Sequence, residues 1–352
     1  MDQRKVITLA FFNNKGGVGK TTLVYHLAWM FAELGHRIIM ADLDPQANLS
    51  SLALPEESLY DLISSEKSTI LQAIRPLIKG IGDIDQAPLK SLLNEHELYG
   101  SLFNDEPQLY LIPGHLELSA YEDRLSDSWT KCLNRDESAF RHVSAFYRII
   151  QQVAQDYRAN ICLIDVGPNL GAINRCALIA ADAVIIPVAA DLFSVIGMRN
   201  LGIRLKEWRE QWQQRYHHRP ADPSLNLPKQ AMAPLGYIVS QHGIKEKRPV
   251  KSYLNWANEF PKTYREFVDP QLEGAIPASV EEDSACLGLL KHYHSLAPMA
   301  MEAHKPIFLL KPADGAIGAH YQAVERAYRD FKDLAEKLLQ VSGIVEKADT
   351  LG

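Results

Sequence analysis

Cysteines, long apolar runs and an excess of positive charge are all missing or scarce in this sequence of 352 residues. The four cysteines are widely spaced and form no Cys-x-x-Cys pair, which argues against a disulfide framework or a zinc knuckle and favours a reducing compartment. No apolar run reaches the roughly 18 residues of a membrane-spanning helix, and the N-terminus does not resemble a secretory signal. These absences predict a cytoplasmic protein.

The net charge is −6, so no attraction of the whole molecule to DNA or anionic lipid is expected. Binding of either kind would require a local basic patch. Hydrophobic residues make up 47% and charged residues 23% of the chain, which excludes a largely disordered chain and a long coiled coil. The length allows two domains of about 150 residues each or one enlarged domain.

Short apolar runs alternate with helical patterns along the chain. The predicted strands are Val6–Phe12, Arg37–Ala41, Leu109–Ile112, Ile161–Ile164, Ala183–Val188 and Leu235–Val239. The predicted helices are Thr22–Leu34, Leu59–Ile63, Ile70–Ile78, Leu89–Leu98, Leu116–Leu125, Ala139–Tyr157, Val195–Tyr216 and Gly318–Leu339. Gly274–Pro277 and Ile307–Leu310 are interpreted as short edge strands or loops. Strand, loop, helix and strand in succession form a βαβ unit, so the predicted class is α/β, with a parallel sheet and helices on both faces.

The strongest motif lies between the first strand and the first helix, where residues 14–22 read NKGGVGKTT. A glycine-rich turn points backbone N–H groups inward, and the helix N-terminus favours an anion there. The nest would be built from Gly16, Gly17, Val18, Gly19 and the first helical residues. Lys20 would reach the β- and γ-phosphates, Thr21 would bind Mg²⁺, and Thr22 would contact an α-phosphate. The alternative is a turn without a ligand, but Lys-Thr after the glycines favours a P-loop.

Lys15 follows Asn14, where the usual P-loop has its first glycine. This spacing resembles the deviant Walker A motif, xKGGxxK[ST], of the ParA/MinD superfamily, and within it the ParA-type partition ATPases. The resemblance implies ATP as the ligand, an ATP-dependent homodimer, and a Lys15 that crosses the dimer interface to the partner's nucleotide. Charge agrees with this role, because a second ammonium beside Lys20 is costly unless phosphate compensates it. A solvated surface lysine is the alternative.

Two strand-ending segments supply carboxylates. Asp42 and Asp44 end the second strand, and Asp165 ends the fourth, at the sheet edge where ligands of such folds bind. The resemblance implies that Asp44 orients the attacking water, that Asp42 lies near the magnesium sphere, and that Asp165 holds Mg²⁺ through a water. Asp44-Pro45 could instead be a plain turn.

Further positions are carried over from the family with less sequence support. The apolar strand Ile161–Ile164 ending in Asp165 resembles the family's Walker B motif, and the switch motif that follows in the family is Asp-x-Pro-Pro. Gly167 here replaces one proline and is expected to make this loop more flexible. The family's adenine pocket maps to Ser240 and Pro277. Segments 51–108 and 242–267 match nothing in the family and are predicted insertions, 51–108 being helical, in a single ParA-like domain over residues 1–352.

Two basic clusters could follow a DNA backbone without reading its sequence. They are Arg199–Arg219, on the predicted helix after the fifth strand, and Lys245–Lys251. A solvated helix face is the alternative, because Glu207 and Glu210 dilute the first cluster. The C-terminal residues 341–352 are not basic, so no membrane docking is expected.

The sequence therefore predicts a magnesium-dependent ATPase that dimerises on ATP, hydrolyses it slowly and binds DNA non-specifically, for partition or cargo positioning. A protein activator is expected. The alternative is a regulatory or scaffold ATPase of a multi-protein system, such as a defence system, in which the unmatched segments bind a protein instead of DNA.

Overall fold

The computed structural model describes residues 6–65, 68–93, 109–222, 225–241, 255–291, 293 and 296–343. Its eight strands are β1 (Ile7–Phe11), β2 (Ile38–Asp42), β3 (Lys90–Ser91), β4 (Leu109–Ile112), β5 (Ile161–Asp165), β6 (Ala183–Ala189), β7 (Ala233–Gln241) and β8 (Cys286–Lys291). They form one sheet in the order β3-β4-β2-β5-β1-β6-β7-β8. Every neighbouring pair is parallel except β3 with β4. The predicted α/β class is confirmed.

Helices cover both faces of this sheet. They are α1 (Lys20–Glu33), α2 (Asn48–Ala53), α3 (Glu56–Ser65), α4 (Ile70–Lys79), α5 (Glu122–Lys131), α6 (Glu137–Val143), α7 (Ala145–Tyr157), α8 (Ala172–Ile179), α9 (Leu192–His217), α10 (Phe260–Thr263), α11 (Leu296–Glu302) and α12 (Ala319–Val341). Within the described ranges, no helix combines the length and apolar character that crossing a bilayer requires.

Successive side chains of the central strands point to opposite faces of the sheet, which divides the hydrophobic core into two clusters. In β1, Leu9 and Phe11 pack on one face with α1 and α12, whereas Ala10 packs on the other with helices α4–α9. β2 and β5 are buried along their whole length. Both faces of a parallel sheet are covered when crossover helices connect its strands, which explains why these strands are continuously apolar.

Some local predictions are wrong. The predicted helix Leu89–Leu98 contains β3, because its backbone pairs with β4 at the sheet edge; residues 94–98 lie outside the described part. Of the two alternatives given for Ile307–Leu310 and Gly274–Pro277, the edge strand is wrong: the first contains a single 3₁₀ turn, and the second is a loop. The strand β8 was not predicted. Of segment 242–267, residues 242–254 lie outside the description, and the rest includes α10.

Segment 51–108 is fastened to the α6–α7 region by charged groups. Arg148 on α7 donates to the Asp83 carboxylate at 2.7 Å, and Arg141 on α6 pairs with the same carboxylate and with Asp222. Although partial burial favours its neutral form, the hydrogen bonds from Arg148 and Arg141 lower the pKa of Asp83. Whether the segment is an insertion in a single domain stays a prediction.

His26 ties α1, the helix that follows the glycine-rich loop, to the C-terminal region. Its Nδ1 donates to the Thr22 carbonyl at 2.7 Å, and its Nε2 accepts the Ile307 N–H at 3.0 Å. The ring stacks on Phe331 at 4.9 Å. Both nitrogens are therefore committed to a neutral imidazole, and burial lowers the pKa of His26 to about 4.

We expect the protein to lose stability in mild acid through His26. Its pKa in the folded state lies below the ordinary value of 6.5, so the stability present above pH 6.5 is lost as the pH falls towards 4. At pH 5 the loss is about 2 kcal/mol. Urea unfolding at pH 7.5 and 5 should show a smaller loss for His26→Gln than for the wild type. His217→Gln, at an exposed position, should match the wild type; equal losses in His26→Gln and the wild type would contradict this account.

Candidate active site

The glycine-rich loop runs from β1 to α1 and is anchored by Asn13. The buried Asn13 side chain donates to the Pro187 carbonyl of β6 at 2.7 Å and accepts the Lys15 N–H at 2.9 Å. Gly17 and Gly19 have φ values of 73° and 84°, in the left-handed region that favours glycine. Gly16 and Gly17 are exposed. The loop is therefore held at its base and open on its outer side.

Lys20 and Thr21 are the first two residues of α1 and lie beside the end of β5. Lys20 is only 8% exposed, and burial lowers its pKa while the charges of Asp165 and Asp44 oppose that shift. The Thr21 hydroxyl donates to Asp165 Oδ2 at 2.7 Å. Thr22 is exposed on the first turn. Strand pairing explains this proximity, because Asp165 is the register partner of Phe11, the last residue of β1 before the loop.

Asp42 and Asp165 are register partners at the carboxyl ends of β2 and β5. Burial, followed by the charge of Asp42, raises the pKa of Asp165 to about 8, and burial raises that of Asp42 to about 7. Asp44 is 6% exposed. Three buried carboxylates thus share the site with the ammonium of Lys20, and burial penalises their ionised forms unless a further cation compensates the charge.

The Asp42 carboxylate is hydrogen-bonded within the chain. Its Oδ2 accepts the Ser50 N–H at 2.8 Å and the Ser50 hydroxyl at 2.6 Å, and Ser50 Oγ accepts the Gly114 N–H at 2.9 Å. A Cβ on Gly114 would stand 2.8 Å from Asp42 Cγ. Sequence reasoning missed Ser50 and Gly114; the Pro-Gly pair after β4 was the available signal. The metal role predicted for Asp42 stays a prediction.

The residues present fit a magnesium ion that is shared with phosphates. In the described part of the chain, no three His, Cys, Asp or Glu side chains gather closely enough to hold a metal by themselves. Asp165 Oδ1 is buried without a hydrogen-bond partner there, beside the Thr21 hydroxyl. Mg²⁺ takes few protein ligands and keeps several waters beside substrate phosphates, which matches this donor set.

Lys15 is held by its own chain. Its Nζ lies 2.6 Å from Asp191 Oδ2 and 3.2 Å from Ser194 Oγ. Asp191 also caps α9 by accepting the Ser194 N–H at 2.9 Å. Although burial opposes it, the hydrogen bond from Lys15 lowers the pKa of Asp191. The negative charge that sequence reasoning assigned to phosphate is supplied here by Asp191.

The two predicted adenine positions differ in their surroundings. The Ser240 hydroxyl, near the end of β7, donates to the Val18 carbonyl of the loop at 3.3 Å. Pro277 lies in the irregular segment after α10. Ser240 is thus beside the phosphate loop, and the adenine role of both residues stays a prediction.

The predicted DNA-contacting cluster on α9 is partly turned inward. Arg215 is only 6% exposed and donates to the Trp129 carbonyl at 2.7 Å, so its assignment to a DNA surface is corrected. Arg209 donates to the Met232 carbonyl at 3.0 Å. The exposed cations of Arg199–Arg219 are Arg199, Arg204, Lys206 and Arg219. The cluster Lys245–Lys251 lies outside the described residues.

Known proteins resemble this chain over much of its length. A model of the AAA-domain family, AAA_31, matches residues 5–217. MJECL24 of Methanocaldococcus jannaschii is 28% identical over 280 residues, covering 80% of this chain and 88% of that protein. The chromosome-partitioning ATPase Soj of Thermus thermophilus is 28% identical over 211 residues, covering 59% of this chain and 65% of Soj, less than two thirds of its length.

A solved structure shares the fold. It is a putative plasmid partition protein from Borrelia burgdorferi B31 bound to AMPPNP, with a TM-score of 0.53 and 18% identity. The match covers 96% of this chain and 99% of that one.

Removing the Asp165 carboxylate should stabilise the nucleotide-free protein. Its raised pKa means that the stability present below the ordinary value of 3.8 is lost as the pH rises through about 8. At pH 7.5 we expect Asp165→Asn to unfold about 2 °C or more above the wild type without nucleotide. The additional stabilisation by Mg²⁺ and ATP should shrink. Thermal unfolding with and without Mg²⁺-ATP measures both quantities.

The matched control is Asp83→Asn, which removes a carboxylate paired with two arginines and should lower the unfolding temperature. A nucleotide-free Asp165→Asn protein that unfolds below the wild type would contradict the penalty inferred for the ionised Asp165 carboxylate.

Proposed function

We propose that this chain, which belongs to the AAA-domain family and is a ParA-type P-loop ATPase, is an ATP-dependent molecular switch of the partition type. The observation that carries the proposal is the convergence of Lys20, Thr21 and Asp165 under the glycine-rich loop. Backbone N–H groups and Lys20 would bind the phosphates, and Thr21 and Asp165 would hold Mg²⁺, which supplies charge neutralisation. Positioning and charge account for most phosphoryl-transfer catalysis, so no strong general base is needed.

Asp44 is the group that would orient the attacking water. Its carboxylate is buried close enough to Lys20 to influence the lysine's pKa, and its Oδ1 accepts the Gln46 N–H at 3.0 Å. Soj is named an ATPase and the Borrelia relative binds AMPPNP, which supports ATP as the ligand here.

The proposed active form is a homodimer closed by ATP. Lys15 lies beside an exposed apolar patch on the first turns of α9, where Phe193 is 74% and Ile196 47% exposed. A second copy of the chain would cover these side chains, and its nucleotide phosphates would replace Asp191 as the partner of Lys15. Slow hydrolysis, stimulated by a protein activator, would reopen the dimer.

Three single substitutions separate the steps of this cycle. Lys20→Ala should abolish ATP binding, because it removes the phosphate-binding ammonium. Lys15→Gln should keep ATP binding but lose the dimer, and Asp44→Ala should slow ATP hydrolysis to a residual rate, so that the dimer persists. Nucleotide titration, light scattering and phosphate release measure the three properties.

Lys332→Gln is the matched control, since it removes an exposed lysine on α12 that pairs only loosely with Glu336, and it should behave as the wild type throughout. If Lys15→Gln dimerises with ATP as the wild type does, the role of Lys15 is wrong. If Asp44→Ala hydrolyses ATP at the normal rate, the role of Asp44 is wrong.

We further propose that the ATP-bound dimer binds DNA non-specifically through the four exposed cations of Arg199–Arg219 together with Lys245–Lys251. The inward turn of Arg209 and Arg215 favours the second candidate, a scaffold ATPase that binds a protein. Both candidates use the same nucleotide site, so DNA binding distinguishes them.

The double variant Arg204→Gln/Lys206→Gln should weaken ATP-dependent binding to random duplex DNA. Each lost phosphate contact should also reduce the slope of log affinity against log salt by about 0.9. Fluorescence anisotropy across a salt series measures both, with Lys332→Gln as the control. If the wild type dimerises on ATP yet binds no duplex at low salt, the scaffold function is favoured; an unchanged double variant would place any DNA site away from α9.

A further inference from the structure

One buried side chain holds the loop that follows β5 through two hydrogen bonds. Asn174, fully buried on the first turn of α8, donates from Nδ2 to the Gly167 and Asn169 carbonyls, each at 2.7 Å. Asn169 in turn accepts the Gly171 N–H at 2.9 Å. The loop carrying the family's switch motif is therefore closed on itself around the Asn174 amide.

Gly167 packs closely against the Asp44 carboxylate. A Cβ at position 167 would stand 3.0 Å from Asp44 Oδ1, which is tighter than most Cβ contacts, and 3.4 Å from Asp44 Cγ, which is an ordinary contact distance. The backbone of Gly167 is not in the left-handed region, so a larger residue here would crowd the Asp44 carboxylate and would not strain the backbone. This differs from the flexibility expected from the sequence: Gly167 is buried, its carbonyl is bonded, and its missing side chain admits Asp44.

The helix carrying Asn174 has an independent anchor. Glu122 on α5 accepts the N–H groups of Ala172 and Ile173, the latter at 2.9 Å, and so caps the start of α8 from outside the loop. We therefore expect loss of the Asn174 amide to leave α8 in place and to loosen the loop.

We propose that Asn174 is a positioning residue for hydrolysis, which acts by holding Gly167 against Asp44 and so fixing where the Asp44 carboxylate presents itself to water. The inference rests on the proposed function, in which Asp44 orients the attacking water. Neither Asn174 nor Gly167 touches the phosphates in this account. Their contribution should therefore be found in kcat and leave ATP affinity nearly unchanged.

Two substitutions test whether the packing of Gly167 against Asp44 matters for hydrolysis. Asn174→Ala removes both loop hydrogen bonds, and Gly167→Ala inserts a methyl group against Asp44. Because misplacement of a catalytic group by about 1 Å can cost about 100-fold, we expect kcat to fall about tenfold or more in each, with the Kd for ATP changed by less than about threefold. Asn160→Ala is the matched control, since Asn160 also bonds neighbouring backbone, accepting the Arg37 N–H at 3.0 Å, but lies at the opposite end of β5. It should leave kcat unchanged.

A double-mutant cycle with Asp44→Ala shows whether the effect passes through Asp44. Adding Asn174→Ala or Gly167→Ala to Asp44→Ala should lower kcat no further. A further loss equal to that in the single variant would overturn the inference, as would a wild-type kcat in both single variants or a Kd that rises in step with the fall in kcat. If Asn174→Ala does not fold, Gly167→Ala alone decides.

The two proposals fail in different ways. A wild-type kcat in Asp44→Ala overturns the role of Asp44 in the proposed function and the inference with it. A strong loss in Asp44→Ala, with normal hydrolysis in Asn174→Ala and Gly167→Ala, overturns the inference alone.

Discussion

The burial of Asp42, Asp44 and Asp165 around Lys20 is the constraint on which the rest of the site depends. Buried carboxylates are costly unless they are paired or hydrogen-bonded, and here they outnumber the ammonium nearby. Local donors compensate part of this charge: Ser50 bonds Asp42, and Thr21 bonds Asp165. One oxygen, Asp165 Oδ1, is buried without a hydrogen-bond partner in the described residues. The protein thus maintains a site that a bound cation with its phosphate ligands would complete, at the expense of stability without them.

The topology brings these charges together. β1, β5 and β2 are adjacent in the sheet, so the glycine-rich loop, Asp165 and Asp42 emerge side by side although they are far apart in sequence. The fold then adds uncharged supports: Asn13 fixes the loop to β6, and Asn174 fixes the loop after β5. Each support is a buried amide that satisfies backbone groups, which leaves the charged groups available for ligands.

Residues whose roles follow from local pattern were predictable from sequence, and those whose roles depend on distant neighbours were not. The glycine-rich loop, the six predicted strands and the strand-ending aspartates follow from short-range spacing. Ser50 and Asn174 carry no local signal, because their partners Asp42 and Gly167 are found only after the chain folds. Arg215 belonged to a basic helical stripe in sequence, yet the packing of α5 on α9 directs it to Trp129. The edge strand β3 has only two residues, both polar, so no sequence pattern marks it as a strand and only its pairing with β4 defines it.

The Lys15–Asp191 ion pair holds Lys15 within its own chain, although the pair itself contributes little free energy. The two side chains are 32% and 27% exposed, and ion pairs near the surface contribute only about 0–1 kcal/mol. Releasing Lys15 therefore costs little, and Asp191 keeps a second task as the cap of α9, so the helix remains intact when the lysine leaves. The phosphates of a second nucleotide carry more negative charge than one carboxylate and would outcompete Asp191. A weak contact within one chain can thus hold Lys15 in the nucleotide-free protein without opposing the proposed dimer.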